Sequence, residues 1–279
     1  MEPNQTERAR VFQTLHERPG AFVIPNPWDV GTARILAGLG FEALATTSAG
    51  LAFALGRRDG EGAVSRGEAL AHARAIVGAT PLPVSGDLEN GFGDAPEAVA
   101  ETIRLAAGTG LVGGSIEDAT GDADRPIYNR TLAVERIAAA VESARALPFP
   151  FTLTARAENF LHGRPDLDDT IGRLQAFEAA GADVLYAPGL RDLGMIRTVC
   201  AAVGRPVNVI TGLAGAPFSV DQLAAAGVRR ISLGSALSRA ASGAFLRAAR
   251  EVKERGTFTF ADSAASFADL DPFMQGRPT

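Results

Sequence analysis

The sequence contains very few residues of the types on which several common chemistries depend. It has one cysteine, Cys200, which excludes an intrachain disulfide and a cluster of cysteines around zinc. Its one lysine, Lys253, lies outside every predicted strand, which excludes an enzyme that forms a Schiff base with a strand-borne lysine. No apolar run reaches the length of a membrane span, and residues 1–10 are too polar for a secretory signal. We therefore expect a cytoplasmic protein.

Charge limits the possible partners further. The 279 residues include 27 basic and 32 acidic side chains, which gives a formal net charge of −5 at pH 7. This balance disfavours nucleic acid and anionic membranes, because both are themselves negatively charged. The hydrophobic share of 46% is typical of a globular protein with a buried core. We therefore expect neither nucleic acid nor a membrane as a partner.

Short apolar runs alternate along the chain with longer stretches of helical period. The strand candidates are residues 21–25, 43–47, 83–86, 113–116, 151–155, 183–187, 206–210 and 229–233. The helical stretches between them include residues 97–107, 132–146, 170–180 and 220–226. Three helices are expected to end at Gly40, Gly181 and Gly227, directly before the next strand. Eight such units predict an α/β protein, a (β/α)8 TIM barrel forming one domain over residues 1–279.

A doubly wound open sheet is the alternative architecture. It usually has fewer strands, and it would place a glycine-rich phosphate loop after the first strand. The first strand is instead followed by Asn26-Pro27-Trp28-Asp29. The barrel is therefore the better prediction, and its functional site would lie at the C-terminal strand ends.

Acidic residues follow the third and fourth predicted strands. Asp87 and Glu89 end the third, and Glu117 ends the fourth. Carboxylates are costly inside a sheet, so they belong at strand ends, where they can meet water or a cation. Because neighbouring parallel strands end at one rim, these groups would converge on a point that suits a hard divalent ion. Solvated strand ends and acidic helix caps are the alternative interpretations. Arg156 and Glu158 follow in register on the fifth strand.

Three loops at the same rim are long or unusual, namely residues 48–65, 120–130 and 159–166. Lids and substrate contacts lie in polar loops over a barrel mouth, and surplus surface loop is the alternative interpretation. We expect residues 120–130, which include Tyr128, to form such a lid. Tyr128 and His162 are candidates for the general acid or base, although a structural role is the alternative for each.

The end of the chain is predicted to be an added helical segment, over about residues 235–279. A helix is expected from about residue 235 to residue 254, followed by a tail that is rich in phenylalanine. Its aromatic residues are Phe245, Phe258, Phe260, Phe267 and Phe273. Such a cluster would form a larger apolar patch than monomers usually expose. We therefore expect the segment to pack on an apolar surface, either its own barrel or a neighbouring subunit.

Five short motifs occur in order at fitting strand ends. They are Asn26-Pro27-Trp28-Asp29, Thr46-Thr47-Ser48-Ala49-Gly50, Gly86-Asp87-Leu88-Glu89-Asn90-Gly91-Phe92-Gly93, Ile116-Glu117-Asp118 and Ala155-Arg156. Together they resemble the isocitrate lyase/phosphoenolpyruvate mutase superfamily over roughly residues 20–240. The resemblance implies a (β/α)8 barrel, commonly with the last helix exchanged in a homodimer or homotetramer. It also implies Mg²⁺ (or Mn²⁺) and a small carboxylate substrate, whose C–C or P–C bond is cleaved or formed through an enolate.

The resemblance implies roles in holding the substrate. Ser48, Ala49 and Gly50 match the turn whose hydroxyl and backbone amides bind the substrate carboxylate; small residues allow such a close approach. Arg156 matches the arginine that pairs with the carboxylate or phosphonate. Asn208, on the seventh strand, is a further candidate contact. Ser48, Arg156 and Tyr128 are accordingly candidate catalytic residues.

The resemblance also implies a set of metal ligands. Asp87 matches the direct ligand, and Glu117 matches an acidic residue that binds the ion through water. Glu89 stands where many relatives have aspartate, so its ligand geometry differs. Asp59, in the second loop, matches an acidic residue that reaches toward the metal site, and it is a further catalytic candidate.

The fourth loop departs from the family pattern. Isocitrate and methylisocitrate lyases have Lys-Lys-Cys-Gly-His there, with the cysteine as acid or base, whereas residues 120–130 contain no cysteine, lysine or histidine. Cys200 is predicted in a helix between strands six and seven, away from the strand ends. The expected function is therefore a Mg²⁺-dependent lyase that does not use this thiol. A phosphonomutase acting on phosphoenolpyruvate or carboxyphosphonoenolpyruvate is one alternative, and a barrel that only binds a metabolite is another.

Overall fold

The computed structural model describes residues 3–212 and 218–275, so the extreme ends of the predicted domain and of its C-terminal segment lie outside the described residues. The strands are β1 (Phe22–Ile24), β2 (Leu44–Ala45), β3 (Val84–Asp87), β4 (Gly113–Glu117), β5 (Thr152–Arg156), β6 (Val184–Tyr186), β7 (Val207–Ile210) and β8 (Arg230–Ser232). They pair in parallel in the order β1-β8-β7-β6-β5-β4-β3-β2. Between β1 and β2, the amide of Ala45 donates to Pro25 O at 3.1 Å. The predicted TIM barrel is confirmed.

Helices alternate with these strands and begin and end where the sequence offers caps. They are α1 (Gln5–Glu17), α2 (Val30–Gly38), α3 (Ser48–Ala54), α4 (Arg66–Val77), α5 (Pro96–Ala107), α6 (Arg130–Arg145), α7 (Leu167–Ala179), α8 (Leu193–Ala202), α9 (Val220–Ala225), α10 (Ala236–Arg255) and α11 (Phe267–Met274), with a 3₁₀ turn at Thr259–Ser263. Asp29 caps α2 by accepting from the amide of Thr32 at 2.7 Å. Gly40, Gly181 and Gly227 have φ between +85° and +103°, the left-handed conformation expected of glycine after a helix.

The N-terminal end of the barrel is closed by α1. Phe12 and Leu15 of this helix are buried against Phe22 and Ile24 of β1. His16, also on α1, lies edge-on to Phe12 and Phe22, with ring centroids 4.7 and 5.0 Å away. The accessible interior of the barrel therefore opens at the C-terminal strand ends.

The C-terminal segment departs from the barrel. In α10, Ser238 alone of the side chains is buried, and Phe245 is 71% exposed. The chain then returns, because α11 packs on α2: Arg34 Nη1 donates to Met274 O at 2.6 Å, and the Phe273 ring lies against Gly38. No helix of residues 3–212 and 218–275 is both long and apolar enough to cross a bilayer.

Candidate active site

Asp87, the last residue of β3, is fixed on several sides at the mouth of the barrel. Its Oδ2 accepts from the amide of Ser48 at 3.0 Å, and its own amide donates to Thr46 Oγ1 at 2.8 Å. Ser115 Oγ donates to Asp87 Oδ1 at 3.4 Å. These bonds link the end of β3 to the residues that follow β2 and to the middle of β4. They aim the carboxylate into a cavity of about 240 Å³.

Arg156, the last residue of β5, lies among the carboxylates of this mouth. Its Nη1 is 3.2 Å from Asp87 Oδ1 and 3.1 Å from Glu117 Oε2. Its Nη2 is 2.9 Å from Glu158 Oε1, and the guanidinium also lies 5.0 Å from the centroid of the Tyr186 ring. Burial alone would lower the pKa of Arg156, but the surrounding carboxylates raise it well above its usual value. Arg156 is therefore permanently charged.

The acidic groups repel one another and are partly desolvated. Burial, with the charges of Asp87 and Asp59, raises the pKa of Glu89 to about 7. Burial also raises the pKa of Glu117 well above its usual value, despite the opposing charge of Arg156. The pKa of Asp59 is raised by burial and by Asp87, although Ser48 forms a hydrogen bond with its carboxylate. An additional cation at this mouth would therefore be favoured electrostatically.

The predicted site residues divide between two neighbouring cavities. The first is lined by Ser48, Ala49, Asp59, Asp87, Arg156 and Asn208. The second, of about 670 Å³, is lined by Glu89 and Glu117 together with His162. Arg156 contacts both Asp87, which lines the first cavity, and Glu117, which lines the second, so the two sets of residues adjoin.

The turn predicted to bind a carboxylate forms the start of α3. The amide of Ser48 is engaged by Asp87, and the amide of Gly50 donates to Thr47 Oγ1 at 3.2 Å. Gly50 is buried and does not line the cavity, and a Cβ added to it would lie 2.6 Å from the methyl group of Thr47. An anion in the cavity would therefore meet the Ser48 hydroxyl and Ala49 rather than the amides of Ser48 and Gly50.

Glu89 projects from a tightly held turn. It has φ of +49°, and Phe92, three residues later, has φ of +58°, so two non-glycine residues adopt the left-handed conformation. Arg136, buried on α6, donates to the carbonyl oxygens of Asn90, Gly93 and Asp94. The hydrogen bonds from Arg136 hold this turn in its strained conformation, as surrounding contacts usually do for strained turns at functional sites.

Tyr128 lines neither cavity. Its hydroxyl donates to Asp94 Oδ1 at 2.6 Å, and the Arg136 guanidinium lies 4.2 Å from the ring centroid. Burial and Asp94 raise the pKa of Tyr128 to about 12. Ala119 and Ile127 form an antiparallel bridge at the base of the expected lid, and closure of this loop over a ligand stays a prediction. Tyr128 contacts the turn that bears Glu89, through Asn90 and Asp94, and lines neither cavity.

The floor of the first cavity holds polar residues that sequence reasoning missed. Arg230 of β8 and Tyr186 of β6 both line it, with Ser232 beside them. Asn208, which was predicted, donates through Nδ2 to Ser232 Oγ at 3.0 Å and accepts from Arg230 Nε at 2.9 Å. Burial raises the pKa of Tyr186 above its usual value. Their sequence signal was weak: Tyr186 lies in an apolar strand candidate, and Arg230 and Ser232 lie at alternate positions of a strand candidate that is mostly polar.

The donor set of the mouth fits a hard divalent cation. The oxygens available to such a cation belong to the carboxylates of Asp87, Glu89 and Glu117, and the repulsion among them is relieved only in part by Arg156. In the described residues, no three acidic, histidine or cysteine side chains are arranged to hold a metal directly. A cation that keeps several of its waters, as Mg²⁺ does, needs only one or two direct carboxylates.

The barrel and the charged groups at its mouth define a TIM-barrel enzyme whose chemistry lies at the C-terminal strand ends. The phosphoenolpyruvate phosphomutase family model matches residues 12–253. The chain therefore belongs to this family, within the isocitrate lyase/phosphoenolpyruvate mutase superfamily of lyases and phosphonomutases, as its motifs predicted.

Proteins of similar sequence include two named enzymes. The chain is 32% identical over 248 residues to an uncharacterised protein of Mycobacterium tuberculosis, covering 87% of this chain and 89% of that one. It is 31% identical to the 2-methylisocitrate lyase of Escherichia coli, covering 68% and 65% of the two chains. It is 33% identical to the oxaloacetate decarboxylase of Bradyrhizobium diazoefficiens, covering 64% and 62%.

Solved structures show the same fold over nearly the whole chain. A Burkholderia cenocepacia protein provisionally described as a lyase/mutase superposes with a TM-score of 0.95, at 62% identity and with 99% of each chain covered. Oxaloacetate acetylhydrolase in complex with its product oxalate superposes with a TM-score of 0.87, at 25% identity, covering 97% of this chain and 94% of that one.

Proposed function

We propose that the protein is a Mg²⁺-dependent enzyme that cleaves a carbon–carbon bond of a small 2-oxo or 2-hydroxy carboxylate through an enolate. The observation that carries this proposal is the meeting of Asp87, Arg156 and Ser48 in one cavity. An acidic metal ligand, a fixed cation and a small turn residue are the groups needed to hold a chelating oxo-acid. Mn²⁺ could take the place of Mg²⁺.

Each group has a distinct role in this proposal. Asp87 would hold the ion directly, and Glu89 and Glu117 would hold its water ligands. When bound, Mg²⁺ supplies the positive charge that stabilises the enolate oxygen. Arg156 pairs with the substrate carboxylate, because a planar guanidinium matches a planar anion. Ser48, which lines the same cavity, holds the substrate in position, which lowers the entropic cost of the reaction.

Asp59 is the proposed proton carrier. It lines the first cavity and forms a hydrogen bond with Ser48, and burial together with the charge of Asp87 raises its pKa. A carboxyl group with a raised pKa exchanges protons more readily near neutral pH than an ordinary aspartate. Asp59 can therefore return a proton to the substrate carbon after the bond has broken.

Carbon–carbon cleavage is favoured by the names of two relatives. Two relatives carry names that denote such cleavage, 2-methylisocitrate lyase and oxaloacetate decarboxylase. Cys200 lies on α8, and burial raises the pKa of its thiol to about 11, so it does not suit a catalytic acid or base at the mouth.

A turnover screen tests the proposal. Oxaloacetate, alkylmalates and phosphonopyruvate are each incubated with the protein and Mg²⁺, and the products are identified by NMR. We expect pyruvate or a comparable oxo-acid from the carbon substrates, with activity lost in EDTA. Turnover of phosphonopyruvate alone would favour the phosphonomutase alternative. Binding without turnover of any substrate would favour a barrel that only binds a metabolite.

We also propose that α10 packs against a second copy of the chain in a homodimer or homotetramer. The helix is 20 residues long and buries one side chain, while Phe245, Leu246 and Val252 remain exposed. Exposed apolar residues on a helix that leaves its own barrel are expected where another subunit covers them. The tail beyond it is already partly docked on α2 of the same chain.

A further inference from the structure

Arg230 is a buried cation whose partners are all neutral. Its Nε donates to Asn208 Oδ1 at 2.9 Å, and its Nη2 donates to Thr154 Oγ1 at 2.9 Å. Its Nη1 lies 3.4 Å from His16 Nε2. Because His16 Nδ1 must donate to the carbonyl oxygen of Phe12 at 2.8 Å, Nε2 is the unprotonated nitrogen and accepts from Arg230. Across residues 3–212 and 218–275, Arg230 forms no ion pair.

The other buried arginines are placed differently. Arg156 contacts three carboxylates, and Arg173 contacts two. Arg136 faces three backbone carbonyl oxygens, and it lines neither of the two cavities. Arg230, in contrast, lines the first cavity. A buried charge is costly unless it is paired, so this position favours an anion from outside the chain.

Arg230 lies within reach of a ligand held at the mouth. Its contact Thr154 stands two residues before Arg156 on β5, which corresponds to a depth difference of about 6.6 Å. A single cavity of about 240 Å³ is lined by both Arg156 and Arg230. A small molecule with an acidic group at each end can therefore contact both arginines.

We propose that Arg230 is a specificity-determining residue that binds the second acidic group of the substrate at the floor of the cavity, so that a diacid binds more tightly than a monocarboxylate. The guanidinium offers N–H groups in a plane that matches a carboxylate. Arg230 also fixes the orientation of the Asn208 amide, so that its Nδ2 faces Ser232 at the cavity floor. The identity of the reacting substrate rests on the proposed function, whereas the binding of a dicarboxylate can be measured without turnover.

Calorimetry with malonate and acetate, in the presence of Mg²⁺, tests the proposal. We expect the wild type to bind malonate at least tenfold more tightly than acetate, and Arg230→Met to lose this preference while its affinity for acetate is unchanged. Arg229→Met is the matched control, because Arg229 is the exposed neighbour in sequence and lies outside the cavity. It should keep the wild-type preference.

A second variant, Arg230→Lys, keeps the proposal testable if Arg230→Met does not fold. Arg230→Lys keeps the charge and loses the fork of donors, so malonate should bind at least threefold more weakly while acetate is unaffected. A wild type without preference for malonate, or a folded Arg230→Met that retains it, would overturn the proposal. So would an Arg230→Lys variant that binds malonate like the wild type or weakens both ligands equally. Failure of every turnover assay would instead refute the proposed function alone.

Discussion

His16 makes the stability of the ligand-free protein depend on pH in a predictable direction. Burial, together with the charge of Arg230, lowers the pKa of His16 from 6.5 to about 3. The folded protein therefore keeps the imidazole neutral at a pH where the unfolded chain binds a proton. Proton binding by the unfolded chain favours unfolding. The free energy of unfolding must consequently fall as the pH falls below 6.5, and the loss continues down to a pH of about 3.

The size of this effect follows from the two pKa values. Each pH unit within the window contributes about 1.4 kcal/mol. Between about pH 8 and about pH 4.5, His16 alone should remove about 2.7 kcal/mol of stability. These conditions lie on either side of the isoelectric point near 5.3, where solubility is poorest.

Urea unfolding of the wild type and of His16→Gln at both pH values measures the effect. Other titrating groups are common to both proteins, so they cancel when the pH dependence of one is subtracted from that of the other. We expect the variant to lose about 2.7 kcal/mol less than the wild type on acidification. A difference below about 0.5 kcal/mol would show that His16 is not held neutral at the base of the barrel.

Three further predictions concern the site and the assembly. Asp87→Ala should abolish the Mg²⁺ binding that calorimetry measures. The circular dichroism spectrum should be unchanged, because Asp87 lies at a strand end. Asp124→Ala, in an exposed loop, is the control, and equal Mg²⁺ binding by both variants would contradict the assignment of Asp87 as a metal ligand. Phe245→Glu should reduce the mass measured by light scattering, since it places a charge on the exposed face of α10; a monomeric wild type would refute the assembly proposal. Cys200→Ser should keep turnover within about twofold of the wild type, because Cys200 lies against Gly227 outside the two cavities. Loss of activity in the folded variant would show that the active site is not at the barrel mouth.

Much of the architecture could be predicted because it depends on local patterns. The alternation of apolar runs with helical stretches indicated the barrel, and Gly40, Gly181 and Gly227 marked helix ends that the structure confirms. Parallel strands end at one rim, so the placement of Asp87 and Arg156 in a common mouth followed from topology. These inferences need only the chain's periodicity and the rule that the parallel strands of a closed barrel end at one rim.

Side-chain partners depended on distant parts of the chain and could not be predicted in this way. Tyr128 was expected on a lid, but its hydroxyl meets Asp94, 34 positions earlier, under a turn whose shape no local pattern indicates. Arg230 was one of two adjacent arginines at the start of a strand candidate, and only the register of the closed barrel decides which of them faces inward. Its contacts Thr154 and His16 lie 76 and 214 positions away. The sequence by itself determined which residues stand at strand ends. The tertiary structure decided which charges are paired, because pairing depends on distances between elements that only barrel closure brings together.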